Sequence, residues 1–234
     1  MSGAAARAAT VTLRLARHEC TLYSSLLRRL VLRRPHGVGP GDTAVGYARG
    51  QLFTVQVMLF VSVVETVALA FLIPWPLVHA IVLAIDLWGI LFILGLQAAC
   101  AVRPHVVGAD GSLRLRYGAL VDIRIPAGRI ASVRRERRHS ARGLLRTDAD
   151  GRAELAISGE TSLVVELTEP VVFRRPLGRT ATARTVRWYA DDPAAALAAL
   201  TAATAATAAT AADGATAAGG ADAPSAGRRA EVAE

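Results

Sequence analysis

The fold of this chain is decided by residues 51–102, which read QLFTVQVMLFVSVVETVALAFLI (51–73), PWP (74–76) and LVHAIVLAIDLWGILFILGLQAACAV (77–102). Each apolar run is longer than the roughly 20 residues that a helix needs to cross the hydrocarbon core of a bilayer. Because only a short proline-rich turn joins the two runs, they must lie antiparallel. We therefore predict an integral membrane protein built on a membrane α-hairpin of two transmembrane helices.

One acidic residue lies within each apolar run, and the two fall at the same depth. At about 1.5 Å of rise per residue, Glu65 and Asp86 lie roughly 12–14 Å from the turn, near mid-membrane. Whole-turn spacings place further polar side chains on the same faces of the two helices: Thr54, Ser62, His79 and Gln97. We expect these polar stripes, and with them Glu65 and Asp86, to face each other or a second copy of the chain. At least one of the two carboxyl groups should then be protonated.

Two roles remain open for this intramembrane polar pair. Ionisable residues inside a membrane mark functional sites by default, so Glu65 and Asp86 could serve a proton- or cation-coupled function. A hydrogen bond that shares a proton between them could instead fix the helix register or hold copies of the chain together. The presence of only two spans favours the structural role.

The distribution of arginine predicts how the hairpin is oriented. The chain carries 27 basic and 19 acidic residues, a net charge of +8, and every basic residue is arginine. Arginines flank both outer ends of the hairpin, whereas the turn at 74–76 is uncharged. The positive-inside rule then places both termini in the cytoplasm and the turn outside, in a multi-pass protein of the plasma membrane.

Residues 1–50 are expected to form a cytoplasmic amphipathic helix followed by a linker. Leucines recur at helical spacing through residues 11–33, with Arg17 and Arg28 on the opposite face. Such a helix could lie in the membrane interface or pack on the soluble part of the chain, and the sequence leaves both open. The glycine and proline content of residues 35–50 predicts a linker.

Alternation of apolar and polar residues begins after the hairpin and predicts a small β domain over residues 104–202. Residues 112–117 and 120–125 should form two strands joined at Gly118. Further strands are expected at 130–133, 153–157, 162–167, 171–174 and 180–189. Asp191-Asp192-Pro193 then starts a C-terminal helix over 193–200. This pattern predicts a small antiparallel barrel or sandwich, and the Ala/Thr/Gly-rich tail at 203–234 is expected to be disordered.

The order of these segments resembles the bacterial pleckstrin-homology-like (PH-like) membrane proteins of actinobacterial type. The resemblance rests on the hairpin, on SLRLRYG (112–118), on VDIRIP (121–126), on IASV (130–133) and on the ADDP helix start (190–193). It covers roughly residues 51–200 and implies a seven-stranded, partly open barrel that a helix closes at one end. It implies binding or assembly and no catalytic residues. A basic insertion at 134–152 departs from the minimal pattern.

The basic cluster RRERRH (134–139) is the candidate lipid-binding site. We interpret it as a loop between strands that meets anionic head groups, through Arg134, Arg135, Arg137 and Arg138. A solvated loop is the alternative. Nucleic acid is not an expected ligand, because no aromatic residues are interleaved for base stacking.

No pattern in the chain predicts an enzyme. The histidines and the two cysteines are scattered without metal-ligand spacing, and no phosphate-binding loop or nucleophile motif is present. We expect no cofactor. The expected function is a non-enzymatic membrane scaffold or regulatory protein that presents its PH-like domain at the membrane surface. Its expected partners are anionic lipids, a second copy of itself and an unidentified protein.

Overall fold

The computed structural model of the protein describes residues 20–31, 35–140, 143–176 and 178–219. Expectations for residues 1–19, 32–34 and 220–234 lie outside this range. Helices occupy residues 20–31 (α1), Leu52–Leu72 (α2), Pro76–Val102 (α3) and Pro193–Gly219 (α4). The strands are Thr43–Val45 (β1), His105–Val107 (β2), Leu113–Tyr117 (β3), Val121–Ile125 (β4), Ile130–His139 (β5), Leu145–Thr147 (β6), Arg152–Leu155 (β7), Glu160–Arg174 (β8) and Thr180–Trp188 (β9).

Helices α2 and α3 form the predicted hairpin, with their boundaries within a residue of the expected ones. Both helices are long and apolar enough to cross a membrane by length and composition. Helix α2 has 21 residues, which corresponds to about 31 Å of axial rise. Proline occupies the first turn of α3, where its missing N–H would have no partner within the helix.

The strands form two sheets around one core. The first sheet has the order β1-β2-β3-β4 and is antiparallel throughout. The second has the order β5-β8-β9-β7-β6, in which only the β7–β9 pair is parallel. Leu115 and Ile123 of the first sheet and Leu163 and Trp188 of the second are fully buried in the shared core. The predicted hairpin of β3 and β4 turns at Gly118, which has a positive φ of 48°.

Helix α4 closes this β domain, as expected, and extends further than expected. Asp192 Oδ1 accepts the backbone N–H groups of Ala194 and Ala195 at 3.0 and 2.9 Å, so it is the N-cap. Leu200 packs into the core between the sheets. Residues 203–219, expected to be disordered, continue the helix because alanine is the strongest helix former.

The expected linker at residues 35–50 contains a strand of the β domain, so that boundary was wrong. β1 pairs with β2 across the register from Thr43↔Val107 to Val45↔His105. Tyr47, two residues further on, has no exposed surface. The hairpin therefore does not precede the β domain but is inserted between its first two strands.

The expected basic loop was also wrong, because residues 134–139 continue β5. This edge strand pairs with β8 from Ile130↔Leu167 to His139↔Glu160, with a bulge between Arg135 and Arg138. Charged side chains are common on edge strands, since they remain solvated and block pairing with other chains.

Candidate functional site

The junction between the hairpin and the β domain gathers buried polar and aromatic side chains from distant parts of the sequence. The last turns of α3 are enclosed by the β domain, with Ala98, Ala99 and Cys100 each at most 1% exposed. Gly118, at the tip of the β3–β4 turn, lies against Ala99 and Cys100. Cys100 packs with the buried Tyr47 and Ile157, so the end of the second long helix is buried together with residues of the β domain.

A chain of hydrogen bonds connects β3 to the start of α2 and to the last turns of α3. The Tyr117 hydroxyl donates to Gln51 Oε1 at 2.8 Å. Gln51 Nε2 donates to Gln97 Oε1 at 2.9 Å, and Gln97 Nε2 donates to the Ala48 carbonyl at 3.3 Å. Burial raises the pKa of Tyr117 above its ordinary value, so this phenol remains a neutral donor.

A second contact ties the start of α2 to the C-terminal part of the β domain. The Asp191 carboxylate accepts the backbone N–H groups of Arg49 and Gly50 at 3.3 and 3.2 Å. The Asp191 N–H in turn donates to the Gly46 carbonyl at 2.8 Å. Of the two adjacent aspartates, Asp192 caps α4 and Asp191 holds the entrance to the hairpin.

His105 is fully buried at the centre of the junction, and its hydrogen bonds define its protonation state. The Arg116 N–H donates to His105 Nδ1 at 2.9 Å, so Nδ1 carries no proton. Nε2 lies 3.0 Å from the Tyr189 carbonyl and must be the protonated nitrogen. Burial lowers the pKa of His105 to about 3, because a charged ring would be desolvated and would lose the bond from Arg116.

Tyr47 packs against this histidine and satisfies the turn of the β3–β4 hairpin. Its ring stacks on His105 with centroids 4.5 Å apart, and the Gly118 N–H donates to its hydroxyl at 2.8 Å. His105 also makes an edge contact with Trp188, at 5.1 Å between centroids. Burial raises the pKa of Tyr47 well above its ordinary value. The hydrogen bonds and ring contacts among these neutral groups fix the geometry of the junction.

The hairpin does not bring Glu65 and Asp86 together, so the predicted facing pair within the hairpin was wrong. Asp86 and His79 lie at the α2–α3 interface opposite Thr66, beside a small void. Glu65 is exposed on the outer surface of α2, because it follows Ser62 by only three residues and is rotated away from the interface line through Ser62 and Thr66.

The other members of the predicted stripes also separate. Gln97 bonds Gln51 at the junction and not Thr54, which is exposed. Ser62 is half-buried on α2, where its carbonyl accepts the Thr66 hydroxyl at 2.8 Å. The polar residues of the hairpin thus divide between the junction, the helix interface and the outer surface.

The four arginines of the predicted lipid site differ in their pairing. Arg134 forms an ion pair with Glu166 at 2.5 Å and Arg137 with Glu160 at 3.0 Å. Arg138 comes only within 4.0 Å of Glu136, and Arg135 has no carboxylate partner among the described residues. Arg135 and Arg138 are therefore the two that keep charge available for an anionic surface.

The sequence pattern does not predict that four distant side chains meet at this junction: Tyr47, Gln51, His105 and Tyr117. No group of histidine, cysteine and carboxylate side chains within the described residues could hold a metal ion. One signal was present in the sequence: Gln51 and Gln97 are amides at the ends of the two runs that are expected to share the cytoplasmic side. No protein family, curated protein or solved structure matches this chain.

Proposed function

We propose that the hairpin crosses the plasma membrane and that the protein is a non-enzymatic scaffold or regulatory module that holds a PH-like domain against the cytoplasmic face. The arginines near the outer ends of the hairpin support this orientation, because they flank both helices while the Pro74–Pro76 turn carries no charge.

The surface of the hairpin supports membrane insertion. Large apolar side chains of α2 and α3 point away from the rest of the protein, among them Phe53, Phe60, Phe71 and Leu77, which are 69–86% exposed. A soluble monomer rarely exposes a contiguous apolar patch of more than a few hundred Å². A lipid environment removes that surface from water.

The arrangement of strands supports the PH-like assignment. β6 and β7 form an appended pair at one edge of the second sheet, since the sheet order ends β9-β7-β6. Without this pair, the domain has the strand number that the resemblance implies, followed by the helix α4 that packs on the core.

The observation that carries the proposal is the insertion of the hairpin within the β domain. Both of its connections are fixed by hydrogen bonds, from Asp191 at the start of α2 and from Gln51 to Gln97 across the two helices. A flexible tether would leave the domain free to rotate. Here the domain has one orientation relative to the helices, which suits a module that presents a defined face to a partner at the membrane.

The outer surface of α2 supports self-association. Glu65 is exposed at mid-depth, where an ionisable side chain in contact with lipid costs several kcal/mol. A second copy that covers this position would provide a hydrogen-bond partner. The alternative, a proton- or cation-coupled function, relied on two facing carboxyl groups, and the hairpin separates Glu65 from Asp86.

Self-association can be measured by crosslinking in native membranes. Glu65→Leu should lower the crosslinked fraction several-fold, whereas Glu65→Gln should keep most of it because the amide still donates and accepts. Gln56→Leu is the matched control, since Gln56 is another exposed polar residue of α2. Equal crosslinking of the wild type and Glu65→Leu would show that Glu65 does not take part in self-association.

Membrane anchoring by the hairpin can be tested by extraction at alkaline pH. The full chain should remain in the membrane pellet. A variant in which a short glycine-containing linker replaces residues 53–94 should be released, and its β domain should stay folded because Gln51, Gln97 and the buried residues at the end of α3 are kept. Release of the full chain by alkali would contradict the proposal.

A further inference from the structure

A basic cleft lies beside the junction, between α1 and the end of α3. It has a volume of about 430 Å³. One side is apolar, formed by Leu27, Val31 and Val102, and the other carries Arg28, His36 and Arg103. Helix α1 is held there by close packing, because Leu22 is fully buried against Gly95 of α3.

The described residues do not neutralise the positive charge of this cleft. Neither Arg28 nor Arg103 forms an ion pair with any carboxylate of the described residues. Arg116 lies close behind the cleft and donates to the carbonyls of His36 and Gly37, both at 2.7 Å. The nearby Asp122 is engaged by Arg114 at 2.7 Å.

Two further observations indicate that the cleft is suited to an anion. The buried Nε atoms of Arg103 and Arg116 have no hydrogen-bond partner among the described residues. Burial, together with the neighbouring guanidinium groups, lowers the pKa of Arg103 and of Arg116. The same two causes lower the pKa of His36, which accepts a hydrogen bond from Arg28. A bound anion would relieve this repulsion.

We propose that this cleft binds the phosphate of an anionic phospholipid, with Arg28 and Arg103 at the phosphate and Leu27 and Val31 along the glycerol and acyl region. The inference rests on the proposed membrane insertion, which places the end of α3 at the level of the cytoplasmic head groups. Guanidinium groups bind phosphate through paired, charge-assisted hydrogen bonds. The apolar wall, whose Leu27 and Val31 are 63% and 68% exposed, favours a lipid over a free anion.

The test uses the purified full chain in detergent micelles and follows its thermal unfolding. Phosphatidylglycerol should raise the midpoint, whereas phosphatidylcholine should not. Arg28→Gln/Arg103→Gln should weaken the apparent affinity for phosphatidylglycerol at least about tenfold, since two charge-assisted hydrogen bonds are lost. Arg49→Gln/Arg146→Gln is the matched control, because it removes the same charge at two exposed arginines.

Each outcome decides the proposal. Equal stabilisation of all variants by phosphatidylglycerol would overturn it, as would inorganic phosphate that stabilises as well as the lipid. If the double glutamine variant does not fold, Arg28→Lys/Arg103→Lys replaces it, because it keeps the charge. This variant should still be stabilised by phosphatidylglycerol, with an apparent affinity only several-fold lower. If it no longer distinguishes phosphatidylglycerol from phosphatidylcholine, the proposed site is wrong. The micelle assay does not depend on insertion, so a failure here is distinct from release of the chain by alkali.

Discussion

Replacing Tyr47 by phenylalanine tests whether residues 35–50 belong to the β domain. The Tyr47 side chain is fully buried, and its hydroxyl is the acceptor for the Gly118 N–H at 2.8 Å. Phenylalanine keeps the ring stacked on His105 and removes this acceptor, together with the contact between the hydroxyl and the Cys100 thiol. A buried N–H left without a partner costs about 1–3 kcal/mol. At about 2–4 °C per kcal/mol for a domain of this size, we expect the midpoint of thermal unfolding to fall by roughly 2–12 °C.

Trp188 provides the signal for this experiment. It is fully buried and makes an edge contact with His105, whereas Trp75 and Trp88 lie exposed on the hairpin. In a background in which the two hairpin tryptophans are phenylalanine, intrinsic fluorescence reports on the junction alone. Unfolding by urea or heat can then be followed in the full chain in detergent.

Two comparison variants separate the hydroxyl from the ring. Tyr47→Ala leaves a cavity and should destabilise the domain by about 3–5 kcal/mol. Tyr189→Phe is the matched control, because that tyrosine is half-buried and its hydroxyl has no hydrogen-bond partner among the described residues. It should change stability by less than about 0.5 kcal/mol. If Tyr47→Phe unfolds like the Tyr189 control, the segment before the hairpin is a linker and the inserted arrangement is wrong.

Three further predictions concern His105, Gly95 and the arginines of β5. Because the pKa of His105 is about 3 in the folded protein and about 6.5 in an unfolded chain, only the unfolded state takes up the proton between these values. The free energy of unfolding should therefore rise between about pH 3 and pH 6.5, by up to about 1.4 kcal/mol per pH unit. Urea unfolding at several pH values should show a smaller rise with pH for His105→Gln than for the wild type. Gly95→Val should displace α1, because a Cβ at this position would lie 3.2 Å from Leu22, and should increase tryptic cleavage after the arginines of α1. Gly89→Val is the control: its added Cβ meets no atom within 4 Å, so cleavage should not change. Vesicle sedimentation uses the variant in which a linker replaces residues 53–94. Arg135→Ala/Arg138→Ala should weaken its binding to anionic vesicles more than alanine at the two glutamate-paired arginines of β5. An equal loss from both pairs would mean that all four arginines contact lipid alike.

The elements that the sequence predicts well are those whose signals are local. The hairpin follows from hydropathy and the β3–β4 pair from alternation around Gly118, both within a few dozen residues. β1 escapes prediction because it has only three residues, TAV, and its partner β2 lies beyond the whole hairpin. No local pattern can indicate a pairing over that separation.

The errors in the candidate sites have physical causes as well. Each residue of a helix is rotated by about 100° from the one before it. Glu65 therefore lies outside the α2–α3 interface, which contains Ser62 and Thr66. The basic run 134–139 is stable as a strand because glutamates of β8 neutralise two of its arginines. These partners lie far along the chain, so charge density alone predicts a loop.

Cysteine labelling in intact cells tests the central claim most directly, that the hairpin crosses the membrane with the β domain on the cytoplasmic side. In a background of Cys20→Ser and Cys100→Ala, one cysteine is placed at Trp75 in the turn, or at Glu169 on an exposed part of β8. A membrane-impermeant maleimide should label Trp75→Cys in intact cells and should label Glu169→Cys only after permeabilisation. Labelling of both positions in intact cells, or of Glu169→Cys alone, would contradict it.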